Sequence, residues 1–206
     1  MSKNALKKVM DHAQAGIEVR RSFFDAQAGT LVEIARVMAK SLTKGGKVMF
    51  CGNGGSAADS QHLAAEFVNR FLMERPPLPA LALTTDTSIL TAIGNDYGFE
   101  LVFKKQVQAL GRPGDVLVGL STSGASLNVI HALRAARDRG LVTVGLMGAV
   151  GGEMLPLCDY ALCVPSKSTP VIQELHISAG HMICHIVDHF LFEAVLELDP
   201  AAEQAD

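Results

Sequence analysis

His62 and Glu66 stand four residues apart in the stretch "CGNGGSAADSQHLAAEF", residues 51–67, just after a turn built from Gly52, Asn53, Gly54, Gly55 and Ser56. The spacing predicts a helix from about Ser56 through Phe71, which puts both ionisable side chains on one face and continues the stripe to Arg70. A loop open enough to admit a ligand leaves the adjoining helix face within that ligand's reach, so the pair is a candidate for chemistry. The same stripe also reads as a solvated charge ladder, with Glu66 beside Arg70 and His62 as a bystander.

A second ionisable group lies near the far end of the chain. "VIQELHISAGHMICHIVDHF" carries Gln173, His176, His181, His185 and His189. The pairs His181/His185 and His185/His189 have the i, i+4 spacing that two zinc ligands on one helix need. Histidines are also common at the edge of a core or interface, and spacing alone does not choose among these.

Two loops have the composition of anion cradles. In "VLVGLSTSGASLNVIHALRAARDRG", Ser121, Thr122, Ser123, Gly124 and Ser126 fall between a strand and a helix expected to begin near Ala125. Free N–H groups at a helix start, with hydroxyls beside them, suit a phosphate without any lysine. Turn-making and capping explain the same serines. Asn53, Gly54 and Gly55 repeat the arrangement one strand earlier, with Ser56 placed to cap, and two such loops at the carboxyl ends of parallel strands define a crevice. Gly52, Gly54 and Ala57 also fit the loose dinucleotide pattern G-x-G-x-x-G/A, with Asp86 as a ribose acid, but that separation exceeds the usual ~20 residues.

The elements that must position these residues follow from periodicity. Five apolar segments, "KVMFCG", "ALALTT", "VLVGLS", "VTVGLMG" and "YALCVP", alternate with helical patterns, which predicts a parallel sheet covered by helices. Some forty residues before the first strand read as packing helices, with Leu31, Ile34, Val37 and Met38 on one face and Gly45-Gly46 as the stop. After the last strand, Ile172, Leu175, Ala179, Met182, Ile183, Ile186 and Phe190 mark a long amphipathic helix. "PAAEQAD" at the end is expected to be disordered.

At 206 residues with 49% apolar content, the chain fits one α/β domain with a sizeable core. A slightly positive mean hydropathy predicts a homo-oligomer that hides further apolar surface. The formal charge of −3, without like-charge runs, argues against nucleic acid or anionic lipid as a partner. The N-terminus lacks a signal-peptide core and no apolar run reaches ~18 residues, so the expected location is cytoplasmic. Cys51, Cys158, Cys163 and Cys184 are widely spread and read as buried reduced thiols.

Taken together, "CGNGGSAADSQHLAAEF", "AIGNDYGF", "GDVLVGLSTSGAS" and "VIQELHISAGH" resemble the sugar isomerase (SIS) domain proteins, and within them the sedoheptulose 7-phosphate isomerases, over roughly residues 44–190. The resemblance implies a single SIS domain at 44–197, a five-stranded parallel sheet in a flavodoxin-like three-layer sandwich, preceded by N-terminal packing helices at 1–43. It implies isomerisation of sedoheptulose 7-phosphate to D-glycero-D-manno-heptose 7-phosphate through an enediol, on the route to lipopolysaccharide-core heptose. It makes Asn53, Gly54, Gly55, Glu66, Asn95, Asp96 and Gln173 substrate contacts, and Ser121, Thr122, Ser123 and Ser126 the phosphate site. It assigns one zinc per subunit to His62, Glu66, Gln173 and His181, gives the acid–base work to Glu66 and His181, and leaves His176, His185 and His189 structural.

A homotetramer with sites near subunit boundaries is also implied. The chain departs from some isomerases in having Pro170 where they carry an aspartate. Two rival readings use the same loops: a tetrameric scaffold that binds the replication initiator, and a sensor that binds a sugar phosphate without transforming it. The scaffold relative lacks ionisable residues at the positions of Glu66 and His181.

Overall fold

The computed structural model describes residues 2–198; the tail "PAAEQAD" lies outside them. The first element corrects the expectation of several N-terminal helices. Residues Lys3–Thr43 form one helix, α1, about 60 Å long at 1.5 Å per residue. Ser2 caps its start by accepting from the Ala5 N–H at 3.4 Å. Only its second half is buried, through Phe23, Leu31, Ile34, Ala35, Met38 and Ala39.

The sheet comprises β1 (Val48–Gly52), β2 (Ala80–Ala82), β3 (Val116–Ser121), β4 (Val142–Gly148) and β5 (Tyr160–Val164). All pairs are parallel and the order is β2-β1-β3-β4-β5. β1 and β3 are buried along their whole length, which explains runs without polar alternation. β2 is the short edge strand: its run "ALALTT" pairs only through Ala82, after which the Leu83 N–H still reaches the Phe50 carbonyl at 2.9 Å.

The helices are α2 (Gly55–Val68), α3 (Thr87–Tyr97), α4 (Val102–Leu110), α5 (Leu127–Asp138) and α6 (Thr169–Asp188). α1, α2 and α6 pack on one face through Ile34, Leu63, Phe67, Leu175 and Ile183. α4 and α5 cover the other through Phe103, Val107, Val129 and Leu133. The result is a three-layer α/β sandwich with a five-stranded parallel sheet. In this strand order the chain departs in opposite directions from β1 and β3, and the crevice at a doubly wound sheet opens at the carboxyl ends of such a pair. Gly52 at the end of β1 lies in register with Leu120 of β3, so the two polar loops leave side by side.

Among the described residues, no helix is long and apolar enough to cross a membrane. Cys51 and Cys184 are buried free thiols, whereas Cys158 and Cys163 are only half-buried. Burial pushes the Cys51 and Cys158 thiols up to about 12, which keeps them protonated and unreactive.

Candidate active site

α2 starts one residue earlier and ends three residues sooner than its periodicity predicts. Gly54 sits at the N-cap with φ of 56°, a conformation that favours glycine. Ser56 is therefore inside the helix and buried, not a cap. The helix ends at Val68 because a buried guanidinium takes its last carbonyls: Arg75 donates to the Glu66 carbonyl at 2.9 Å and the Phe67 carbonyl at 2.7 Å. Arg70 falls beyond the end and faces Glu74 at 3.4 Å, so the expected Glu66–Arg70 ladder is absent. Glu66 faces His62 instead.

That pair meets the C-terminal helix. His62 Nε2 lies 3.2 Å from Glu66 Oε1 and 2.9 Å from His181 Nε2. One donor atom from each of His62, Glu66 and His181 falls within 4.8 Å of the others. The rings of His62 and His181 meet edge-on at 5.1 Å, and Phe71 stacks on His181 at 5.3 Å. Partial burial, and then the neighbouring His62, hold the His181 imidazole below its usual range, against the pull of Glu66. A neutral imidazole keeps the lone pair that a metal ligand or proton acceptor needs.

Two imidazole nitrogens and a carboxylate at this spacing fit a zinc ion, whose bonds of about 2.0–2.2 Å place neighbouring donors roughly 3.3 Å apart. The fit rests on side chains whose donor atoms the fold already brings together. Gln173 arrives on the same helix pair, two turns before His181, with its amide against Gly55. A Cβ at Gly55 would lie 2.6 Å from that amide nitrogen, so the glycine is what lets α6 approach the loop here. The Cα–Cβ bonds of His62 and Glu66 tilt toward the start of α2, as on any helix.

In the crevice Asn53 exchanges two amide hydrogen bonds with Asn128, at 2.9 and 2.8 Å. Asn128, on the first turn of α5, carried no sequence signal beyond its neighbourhood to the serines. Ser126 is the N-cap residue of α5, which begins at Leu127 and not near Ala125. Ser121 Oγ lies 2.8 Å from Ser126 Oγ and 3.4 Å from Ser123 Oγ, and Ser123 accepts from the Ala125 N–H at 3.2 Å. Asn53, Ser126 and Asn128 border a cavity of about 350 Å³ with Phe99, Glu100 and Leu127. Thr122 and Ser123 border a second of about 280 Å³, which also includes Ser166, Lys167 and Thr169. Lys167 thus supplies a cation at a cradle the sequence read as lacking one.

Asn95 and Asp96 are not brought into this group within the chain. They lie exposed on α3, and Asn95 Nδ2 donates to Asp96 Oδ1 at 2.9 Å. Asp86, the acid of the dinucleotide pattern, is the N-cap of α3 and accepts from the Ile89 N–H at 2.8 Å. It is committed to the helix, not to a ribose. Of the remaining histidines, His176 is fully buried with Nε2 at 3.2 Å from the Met147 carbonyl, His185 is exposed beside Phe71, and His189 pairs with Glu193 and Glu197.

A doubly wound sheet with serine-rich loops at its switch point and an ionisable cluster beside them defines a sugar-phosphate-handling α/β domain, and the chain belongs to the SIS domain family, whose model matches residues 11–148. Within it, the chain groups with the phosphoheptose isomerases. It is 64% identical to the phosphoheptose isomerase of Maridesulfovibrio salexigens over 97% of this chain and 98% of that protein. It is also 64% identical to that of Nitratidesulfovibrio vulgaris, over 98% of each. The structure of phosphoheptose isomerase GmhA from Neisseria gonorrhoeae superposes with a TM-score of 0.85 at 46% identity, covering 89% of this chain and 98% of that one. A phosphoheptose isomerase from Francisella tularensis gives 0.87 at 38% identity, over 92% and 100%.

Proposed function

We infer that this chain is an aldose–ketose isomerase that interconverts sedoheptulose 7-phosphate and D-glycero-D-manno-heptose 7-phosphate, with Glu66 and His181 moving the protons. The convergence of His62 and Glu66 on α2 with His181 on α6, at 3.2 and 2.9 Å, is the observation that carries this reading. A scaffold or a passive sensor has no need of such a cluster, and its presence favours catalysis over both.

The reaction moves hydrogen between C1 and C2. Glu66 takes the proton from carbon, and His181, held neutral, exchanges a proton with the sugar oxygens as the enediol forms and collapses; each role is worth ~10²–10⁴-fold. His62, Glu66 and His181, with Gln173 from α6, would hold a zinc ion, and zinc bound there would polarise the carbonyl and stabilise negative charge on its oxygen.

Ser121, Thr122, Ser123 and Ser126 hold the phosphate, while Asn53, Gly54 and Gly55 contact the sugar. Binding energy collected at the phosphate then fixes the open-chain sugar against the acid and base. The catalytic unit is the segment 44–197, on which α1 packs. Asn95 and Asp96 act on the sugar from a neighbouring protomer of a homotetramer.

A panel of phosphorylated ketoses tests the substrate. Sedoheptulose 7-phosphate should be turned over fastest, and exclusive turnover of a shorter ketose phosphate would move the activity elsewhere. Elemental analysis of untagged protein purified without chelator tests the metal: one zinc per chain is expected, and full activity in zinc-free protein removes it from the mechanism.

A further inference from the structure

Arg75 is a residue for which neither motif nor composition suggested a task, yet its guanidinium is buried and fully engaged. It donates from Nε to Asp188 Oδ1 at 2.9 Å, from one terminal nitrogen to the Glu66 carbonyl at 2.9 Å, and from the other to the Phe67 carbonyl at 2.7 Å. The same nitrogen also reaches the Asn69 carbonyl at 3.3 Å and the Pro76 carbonyl at 3.1 Å. The side chains of Arg75 and Asp188 are 2% and 4% exposed, so the pair is shielded from solvent. Asp188 Oδ2 is buried without a partner.

The two ends of this contact are the two helices that carry the reacting groups. Glu66 is on the last turn of α2, and Arg75 holds that residue's own carbonyl. Asp188 closes α6 two turns after His181, and a separation of seven residues returns to the same helix face. A planar guanidinium with donors on three sides fixes direction as well as distance, which a single ammonium cannot do.

We propose that Arg75, paired with Asp188, is a positioning residue for the isomerisation: it clasps the ends of α2 and α6 so that Glu66 and His62 stay opposed to His181. The inference rests on the assignment of Glu66 and His181 as the reacting pair. It goes beyond that assignment by naming what sets their geometry.

Two variants test it, each compared with wild type at a temperature below its own melting point. Arg75→Lys keeps the charge but cannot serve Asp188 and both carbonyls together. Asp188→Asn keeps one acceptor for Nε–H and removes the ion pair with little change of shape. Arg75→Lys should lower kcat at least about tenfold and weaken zinc affinity, read by chelator competition, by a similar factor, with KM nearly unchanged. Asp188→Asn should give the same pattern at roughly threefold to tenfold. A role in stability alone would lower the melting temperature and leave kcat and zinc affinity at wild-type values in the folded variants. That result overturns the clasp, and Asp188→Asn decides if Arg75→Lys does not fold. Glu66→Gln, run alongside, separates the two failures. Wild-type turnover in it sinks the acid–base assignment, whereas its inactivity beside unaffected clasp variants sinks only the clasp.

Discussion

His176 shows how the same side-chain type takes opposite parts on one helix. It is fully buried, and burial brings its imidazole down to about 4, against the hydrogen bond to the Met147 carbonyl. With Nε2–H donating there, Nδ1 is buried without a partner, so the ring is neutral and structural. The unfolded chain binds a proton at this histidine below about 6.5, whereas the folded chain resists it down to about 4. Stability is therefore complete above that window and declines as pH falls through it, by up to about 3 kcal/mol. His176→Gln keeps an N–H donor for Met147 and should flatten the melting-temperature decline between pH 6.5 and 4. Identical slopes in the two proteins would contradict the assignment. His181, five residues on, is only part-buried and faces His62 and Glu66, which makes it available for chemistry. Sequence spacing treats the two histidines alike; burial separates them.

At the scale of elements, the β3–α5 turn and the start of α2 each carry a distinct load. Ser121, Ser123 and Ser126 are bonded among themselves, so their hydroxyls are oriented before an anion arrives. Ser121→Ala should raise KM for the sugar phosphate about tenfold with a smaller effect on kcat, whereas an equal loss in kcat alone would place the phosphate elsewhere. Gly55→Ala puts a methyl 2.6 Å from the Gln173 amide and should weaken zinc retention while the fold persists; unaltered zinc affinity, measured by competition with a chelator, would detach Gln173 from the site. All five strands, the glycine turn and both functional helices were legible in the sequence because apolar runs and glycines are local signals. The end of α2 was not. It depends on Arg75, which reaches it from seven residues beyond Val68 and is held by Asp188 from the far end of the chain. The α5 start moved by two residues, to Leu127, with Ser126 at the N-cap position.

On the scale of the whole molecule, α3 buries none of its residues within the chain. Ile89, Tyr97 and Phe99 are exposed around it, as are Leu6, Val9, Met10 and Ile17 along the first half of α1. Apolar surface of this kind on helices is what association between copies covers. The homotetramer proposed above should sediment with a mass near four times the 21.9 kDa chain. Replacing Val9, Met10 and Ile17 with serine should shift it toward smaller species and lower activity in parallel, because Asn95 and Asp96 are assigned to a neighbour's site. A fully active monomer would refute that assignment. The composition pointed to an oligomer, but no local pattern could say which helix faces remain open.

The most direct measurement follows sedoheptulose 7-phosphate by proton NMR in D₂O with wild type and Glu66→Gln at equal concentration. Wild type should form the aldose with deuterium at C2, and Glu66→Gln, folded and of unchanged size, should be at least ~10²-fold slower. Wild-type rate and labelling in Glu66→Gln would contradict the proposal that this carboxylate, opposed to His181, carries the proton.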